Sequence, residues 1–148
     1  MKKFVSSAMG KAIIITIVGL LVLSVFIIKT AQEEKLVTAQ YASIQDSVQK
    51  TGQDETLPTF VEFSSKQCVY CKEVSQILHE LKEEFEGRLN FVEMDINVNP
   101  HLASQYGQDS TPSYVIVDTD GELISQEVGA HTHEYIEDYI MDSLEMMK

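Results

Sequence analysis

The chain has 148 residues, 44% of them apolar, and a formal net charge of -12. That length gives room for one ordinary domain plus an appendage, with enough apolar residues for a packed core. Every one of the 23 acidic residues lies beyond Thr30, and such a surface repels nucleic-acid phosphates and anionic lipid headgroups, which excludes nucleic acid as a partner.

Residues 1–11 carry Lys2, Lys3 and Lys11 and no acid. Residues 12–28 (AIIITIVGLLVLSVFII) then run without a charge to Lys29. The stretch is apolar on every face, so it does not read as the core helix of a soluble domain. It is short for a membrane span, but flanking lysines can snorkel and extend its reach. A cleaved signal peptide competes with an uncleaved anchor. The apolar run is longer than a usual signal core, and the nearest small-residue site, Val37-Thr38-Ala39, lies far from its end. The reading adopted is a signal anchor, with 1–11 in the cytoplasm, 12–28 across the membrane, 29–40 a polar linker and 41–148 a domain outside the cytoplasm.

Tyr41, Ile44 and Val48 have helical spacing, and Gly52 to Thr56 breaks that helix. Pro58 to Ser64 (PTFVEFS) reads as a strand. Cys71 to Glu86 places Val74, Ile77, Leu78, Leu81 and Phe85 on one stripe, an amphipathic helix stopped by Gly87. Arg88 to Asp95 is a second strand, and Asn99-Pro100 opens a short helix with proline in its first turn. Ser113 to Asp118 is a third strand, Asp120-Gly121 a hairpin turn, and Glu122 to Val128 the returning fourth. His133 to Met147 closes the chain as an amphipathic helix. Strands joined by a helix predict parallel pairing with a right-handed crossover, and the hairpin predicts an antiparallel pair. The class is therefore α/β, a mixed sheet with helices on both faces.

Cys68 and Cys71 are the only cysteines, and Cys-Val-Tyr-Cys sits where a strand gives way to a helix. A thiol at a helix N-terminus meets unpaired N–H groups that stabilise the thiolate. A bridge across so short a loop removes little entropy from the unfolded chain, so a structural staple is a poor account of the pair. A structural zinc site needs four ligands, and His79, His131 and His133 lack ligand spacing to the dithiol, so no metal is expected. The pattern points to reversible redox chemistry.

From Tyr41 onward the chain resembles the thioredoxin family. The carriers of that resemblance are Phe60-Val61-Glu62-Phe63 before the cysteines, Cys-x-x-Cys-Lys opening the long helix, Asp95 to Pro100 at a strand–helix join, Thr111-Pro112, Asp120-Gly121-Glu122 and Val128-Gly129-Ala130. Pro112 lies 41 residues beyond Cys71, where the family carries its cis-proline. The resemblance implies a thioredoxin-like fold with a central four- to five-stranded mixed sheet, preceded here by the N-terminal transmembrane helix. It implies a thiol–disulfide oxidoreductase that needs no cofactor beyond its redox-active disulfide and acts on protein thiols and disulfides. Cys68 would attack and Cys71 resolve. Glu62 matches the family's buried acid and would take the Cys71 proton. Thr111 and Pro112, with Val69 and Tyr70, would meet the substrate peptide. A transmembrane electron donor would be within reach of the tethered domain.

The chain departs from the family pattern in three places. It has no tryptophan, Gln67 precedes the first cysteine, and Val69-Tyr70 replaces Gly-Pro. Glu93 stands where the family commonly has a lysine beside the buried acid. An extra acid disfavours the thiolate and favours reductant behaviour. The competing reading is a binding module on the same scaffold, a metal-handling protein or an adaptor, without turnover.

Overall fold

The computed structural model describes the backbone of residues 8–148 and the side chains of residues 13–30 and 41–148. Most of the expected cytoplasmic segment 1–11 lies outside these. The chain divides into two compact units, one ending at Thr38 and the other running Ala39–Lys148.

Helix α1 spans Ala8–Lys50 and supplies the described part of the first unit. Its window Ile13–Thr30 has a mean hydropathy of 2.6 and is wholly unburied, long and apolar enough to cross a membrane; a signal sequence has the same properties. Its few hydroxyls are satisfied within the helix. Thr16 Oγ1 donates to the Ile13 carbonyl and Ser24 Oγ to the Leu21 carbonyl, each at 2.8 Å, while Thr30 Oγ1 reaches the Ile27 carbonyl at 3.0 Å. This leaves no hydroxyl that would need water in an apolar medium.

The segment 29–40 is helical, where a polar linker followed by a separate short helix was expected. Its sequence contains neither glycine nor proline and is rich in Ala, Gln, Glu and Lys, so nothing stops the helix before Gly52, whose φ is 70°.

In the second unit the strands are β1 (Thr59–Ser64), β2 (Asn90–Asp95), β3 (Ser113–Val117) and β4 (Leu123–Val128). They form one four-stranded sheet in the order β2-β1-β3-β4. The β1 and β2 strands are parallel, and both the β1/β3 and β3/β4 pairs are antiparallel. Helices α2 (Cys71–Glu84), α3 (Pro100–Gln105) and α4 (His133–Met146) complete the unit.

Each sheet face carries its own core. Ile44 and Val48 of α1, with Leu102, Ala103 and Tyr106, cover Val61, Phe63, Val115 and Val117 on one face. On the other, Val74, Leu78 and Leu81 of α2 and Ile136 and Ile140 of α4 cover Phe60, Phe91, Tyr114 and Ile116. The central strand β1 is buried along its whole length. A polar residue on β1 is therefore held under a helix, and this fixes the position of Glu62.

Candidate active site

Strand β1 delivers the chain to a turn in which the Cys68 N–H donates to the Ser65 carbonyl at 3.0 Å. Helix α2 then starts at Cys71. Its N-cap residue, Tyr70, offers no side-chain cap. Instead the Cys71 N–H donates to Cys68 Sγ at 3.0 Å, so the sulfur occupies the position that a capping oxygen would take. The same N–H stabilises negative charge on Cys68 once the thiolate forms. Cys68 and Cys71 are joined as a disulfide with Cα atoms 5.4 Å apart. Cys71 is buried at 6% exposure, whereas Cys68 is half-buried. Reagents thus meet Cys68 first. Val69 and Tyr70 project into solvent, 77% and 60% exposed.

Glu62 is 3% exposed and shares the α2/α4 face with Phe60 and Tyr114. Its Oε1 is buried without a hydrogen-bond partner. Burial in these surroundings pushes its carboxyl up to about 8, and the charge of Glu93 adds to the rise. Glu93 is the direct register partner of Glu62 on β2, beside the buried acid as the family resemblance implies. It is exposed, and Ser64 Oγ donates to its Oε1 at 2.7 Å.

The peptide bond between Thr111 and Pro112 is cis, as the family resemblance implies. Thr111 Oγ1 lies 3.4 Å from Ser65 Oγ, which brings this loop beside the cysteine turn. The Gly129 N–H donates to the Pro112 carbonyl at 2.9 Å, and Tyr114 Oη donates to the Gly129 carbonyl at 2.8 Å. The 128–130 segment is thereby tied to the same end of the sheet. Among the described residues, no backbone group pairs with the N–H or carbonyl of Thr111.

The structure therefore collects Cys68, Cys71, Val69, Tyr70 and Thr111 around one turn, with Glu62 beneath α2. The histidines stand apart from the dithiol. His79 is exposed on α2, His131 stacks on Tyr135 with ring centroids 4.1 Å apart, and His133 faces Glu80 and Glu84. Among the described residues, no group of three or more His, Cys, Asp or Glu is placed to hold a metal.

The bond from Ser64 to Glu93 escapes sequence reasoning, because it joins residues 29 apart on two strands. The one available signal is the strand register, which puts residues 62 and 93 side by side.

A family profile described as Thioredoxin matches residues 35–142. A thioredoxin of Synechocystis sp. is 34% identical over 52% of this chain and 71% of its own length. A thioredoxin of Rickettsia felis is 29% identical over 66% and 92%. A thiol:disulfide interchange protein TxlA homolog of Synechocystis sp. is 30% identical over 61% of this chain and 51% of its own. Among solved structures, a thioredoxin variant of Halobacterium salinarum superposes with a TM-score of 0.53 at 24% identity, covering 59% of this chain and 74% of that one.

Proposed function

Because the chain belongs to the thioredoxin family and is a thiol–disulfide oxidoreductase, we propose that it reduces protein disulfides outside the cytoplasm, with Cys68 attacking and Cys71 resolving. The observation that carries this reading is the unequal exposure of two bonded sulfurs at the start of α2, with the more exposed one accepting a helix N–H.

The exchange follows from that arrangement. The Cys68 thiolate attacks one sulfur of a substrate disulfide, forming a mixed disulfide and releasing the other sulfur as a thiolate. Cys71 gives up its proton and attacks Cys68 Sγ, so the Cys68–Cys71 bond forms and the second substrate sulfur leaves. In its ionised form Glu62 takes the Cys71 proton; in its protonated form it returns a proton when the disulfide is reduced again. The unpaired Thr111 backbone can bind an extended substrate strand next to Pro112, and the exposed Val69 and Tyr70 give that strand apolar contacts.

Support for the location comes from charge and hydropathy. Lysines precede the apolar helix and all acids follow it, the bias of a cytoplasmic N-terminus. A domain so tethered lies within reach of a transmembrane electron donor. Glu93 beside the buried acid disfavours the thiolate, which supports the reductant direction. A couple of this kind has a potential of about -270 mV, whereas an oxidant lies at about -120 mV.

Insulin disulfide reduction by the full chain in detergent tests the activity. Wild-type protein with a dithiol donor precipitates insulin, and Cys68→Ser does not. Equal rates in the two would overturn the reading.

A further inference from the structure

Strand β2 ends the sheet, and its outer side is only partly closed. The Asn90 N–H donates to the Pro58 carbonyl at 2.9 Å and the Ile96 N–H to the Ser64 carbonyl at 3.0 Å. The even-numbered residues of β2 thus turn their peptide groups to β1, and Phe91, Glu93 and Asp95 turn theirs outward. The side chain of Gln53 serves Phe91 as a neighbouring strand would. Its Oε1 accepts from the Phe91 N–H at 2.7 Å, and its Nε2 donates to the Phe91 carbonyl at 3.0 Å. Among the described residues, nothing bonds to the N–H or carbonyl of Glu93. One peptide unit of the edge is matched by an amide, and the next is free.

Beside this edge, between β2 and α2, lies a hollow of about 570 Å³, within the size of sites that hold small ligands. Phe60, Leu78 and Phe91 give it apolar walls, and Glu62 and Glu93 both line it. As register partners the two acids leave the sheet on the same side. Glu62 is 3% exposed, and its Oε1 has no hydrogen-bond partner. A buried acceptor is costly until a donor reaches it. Ser64 Oγ donates to Glu93 Oε1 at 2.7 Å, which leaves the second oxygen of Glu93 for another donor. Lys82 lines the same hollow at the end it shares with a neighbouring one near Gly52 and Asn90, yet the described lysines that form ion pairs are Lys50 and Lys148. His79 and Glu80 of α2, and Tyr114 across the sheet from Glu62, complete the titratable surroundings.

We propose that this edge binds an extended segment of a partner protein carrying a lysine or arginine, whose side chain enters the hollow and bonds Glu62 and Glu93 while its backbone pairs with Glu93. Apolar walls closed by two carboxylates match a side chain with a methylene stem and a charged head. The free N–H and carbonyl of Glu93 match the main chain of an added strand. Charge selects the occupant. A second copy of this chain offering the same edge would set Glu93 and Asp95 against like charges. A metal ion is a poor fit, because no group of three or more ligating side chains is gathered here among the described residues. The site is separate from the dithiol reading, since β2 lies across β1 from β3 and from the Thr111–Pro112 bond that leads into β3.

The test is titration calorimetry of the oxidised full chain, in detergent, with a capped heptapeptide of alternating threonine and valine around a central arginine. Its twin carries citrulline, which keeps the shape and removes the charge. The arginine peptide binds about tenfold more tightly than the twin, and Glu93→Gln removes most of that preference. Burial holds the Glu62 carboxyl up at about 8, so near neutral pH a seated cation expels its proton. Titrations in buffers of different ionisation heat then read about one proton released, and Glu62→Gln abolishes the release. Equal binding of the two peptides, or a preference kept in Glu93→Gln, overturns the proposal. Binding without proton release leaves the cation at the rim and overturns its placement on Glu62. If neither peptide binds and the full chain sediments as a dimer that Glu93→Gln tightens, a second copy occupies the edge and the proposal fails. The oxidised chain exchanges no thiols in these titrations, so their outcome is independent of the oxidoreductase reading.

Discussion

At the scale of single residues, burial makes Glu62 costly to keep ionised. Its carboxyl is raised from 4.5 to about 8, first by burial and then by Glu93. Between these values the folded chain holds a proton that the unfolded chain releases, so stability falls as pH rises through that window. Above about 8 the full cost is present. Glu62→Gln should therefore raise the melting temperature of the domain at pH 8 and leave it nearly unchanged near pH 4, the difference reaching roughly 2–4 kcal/mol. Thermal melts of both proteins across that range check this, and a gain that did not grow with pH would contradict it. The face that Glu62 occupies was not legible in the sequence, because β1 is buried on both sides and its alternation carries no inside or outside. Only the pairing with Glu93 and Tyr114 places the side chain.

At the scale of elements, the C-terminal end of α1 is pinned to the β3–β4 hairpin. Tyr41 Oη donates to the Thr119 carbonyl at 2.9 Å, and its ring lies against Gly121, where an added Cβ would clash with the ring. Gly121 also has a φ of 84°, so the hairpin needs glycine for both its backbone and its neighbour. Gly121→Ala should cost about 2–3 kcal/mol, since it adds a clash to the backbone strain. Gly87→Ala meets nothing within 4 Å, and its φ of 73° alone should cost about 1 kcal/mol. Denaturant titrations of the two variants give the comparison, and equal losses would show that the Tyr41 contact contributes nothing. The hairpin itself was readable from Asp120-Gly121, and α2 from its apolar stripe, because local chemistry decides both. The helical state of the polar 29–40 segment was not legible from its polarity, which a helix and an irregular linker share. Helix formation depends on the absence of breakers as much as on an apolar face, and that segment has none.

At the scale of the whole molecule, an apolar helix precedes a strongly acidic domain. If the helix anchors the chain, the protein should stay with membranes after an alkaline carbonate wash. Its reduced cysteines should then react with an impermeant maleimide added outside intact cells. Release by carbonate, or labelling only after lysis, would contradict the proposed location. The dithiol was legible from its spacing at a helix start, and the proline and the acid only through the family resemblance. The contact between Ser64 and Glu93 was not, because it is built from register between strands far apart in sequence.

The central claim is the division of labour between the two sulfurs, and trapping measures it most directly. The full chain carrying Cys71→Ser, mixed with a disulfide-bonded protein, should accumulate a covalent adduct that a reductant dissolves and peptide mapping places on Cys68. Wild type should show no such accumulation, because Cys71 releases it. An absence of adduct in Cys71→Ser, or an equal yield from Cys68→Ser through the buried Cys71, would contradict the account.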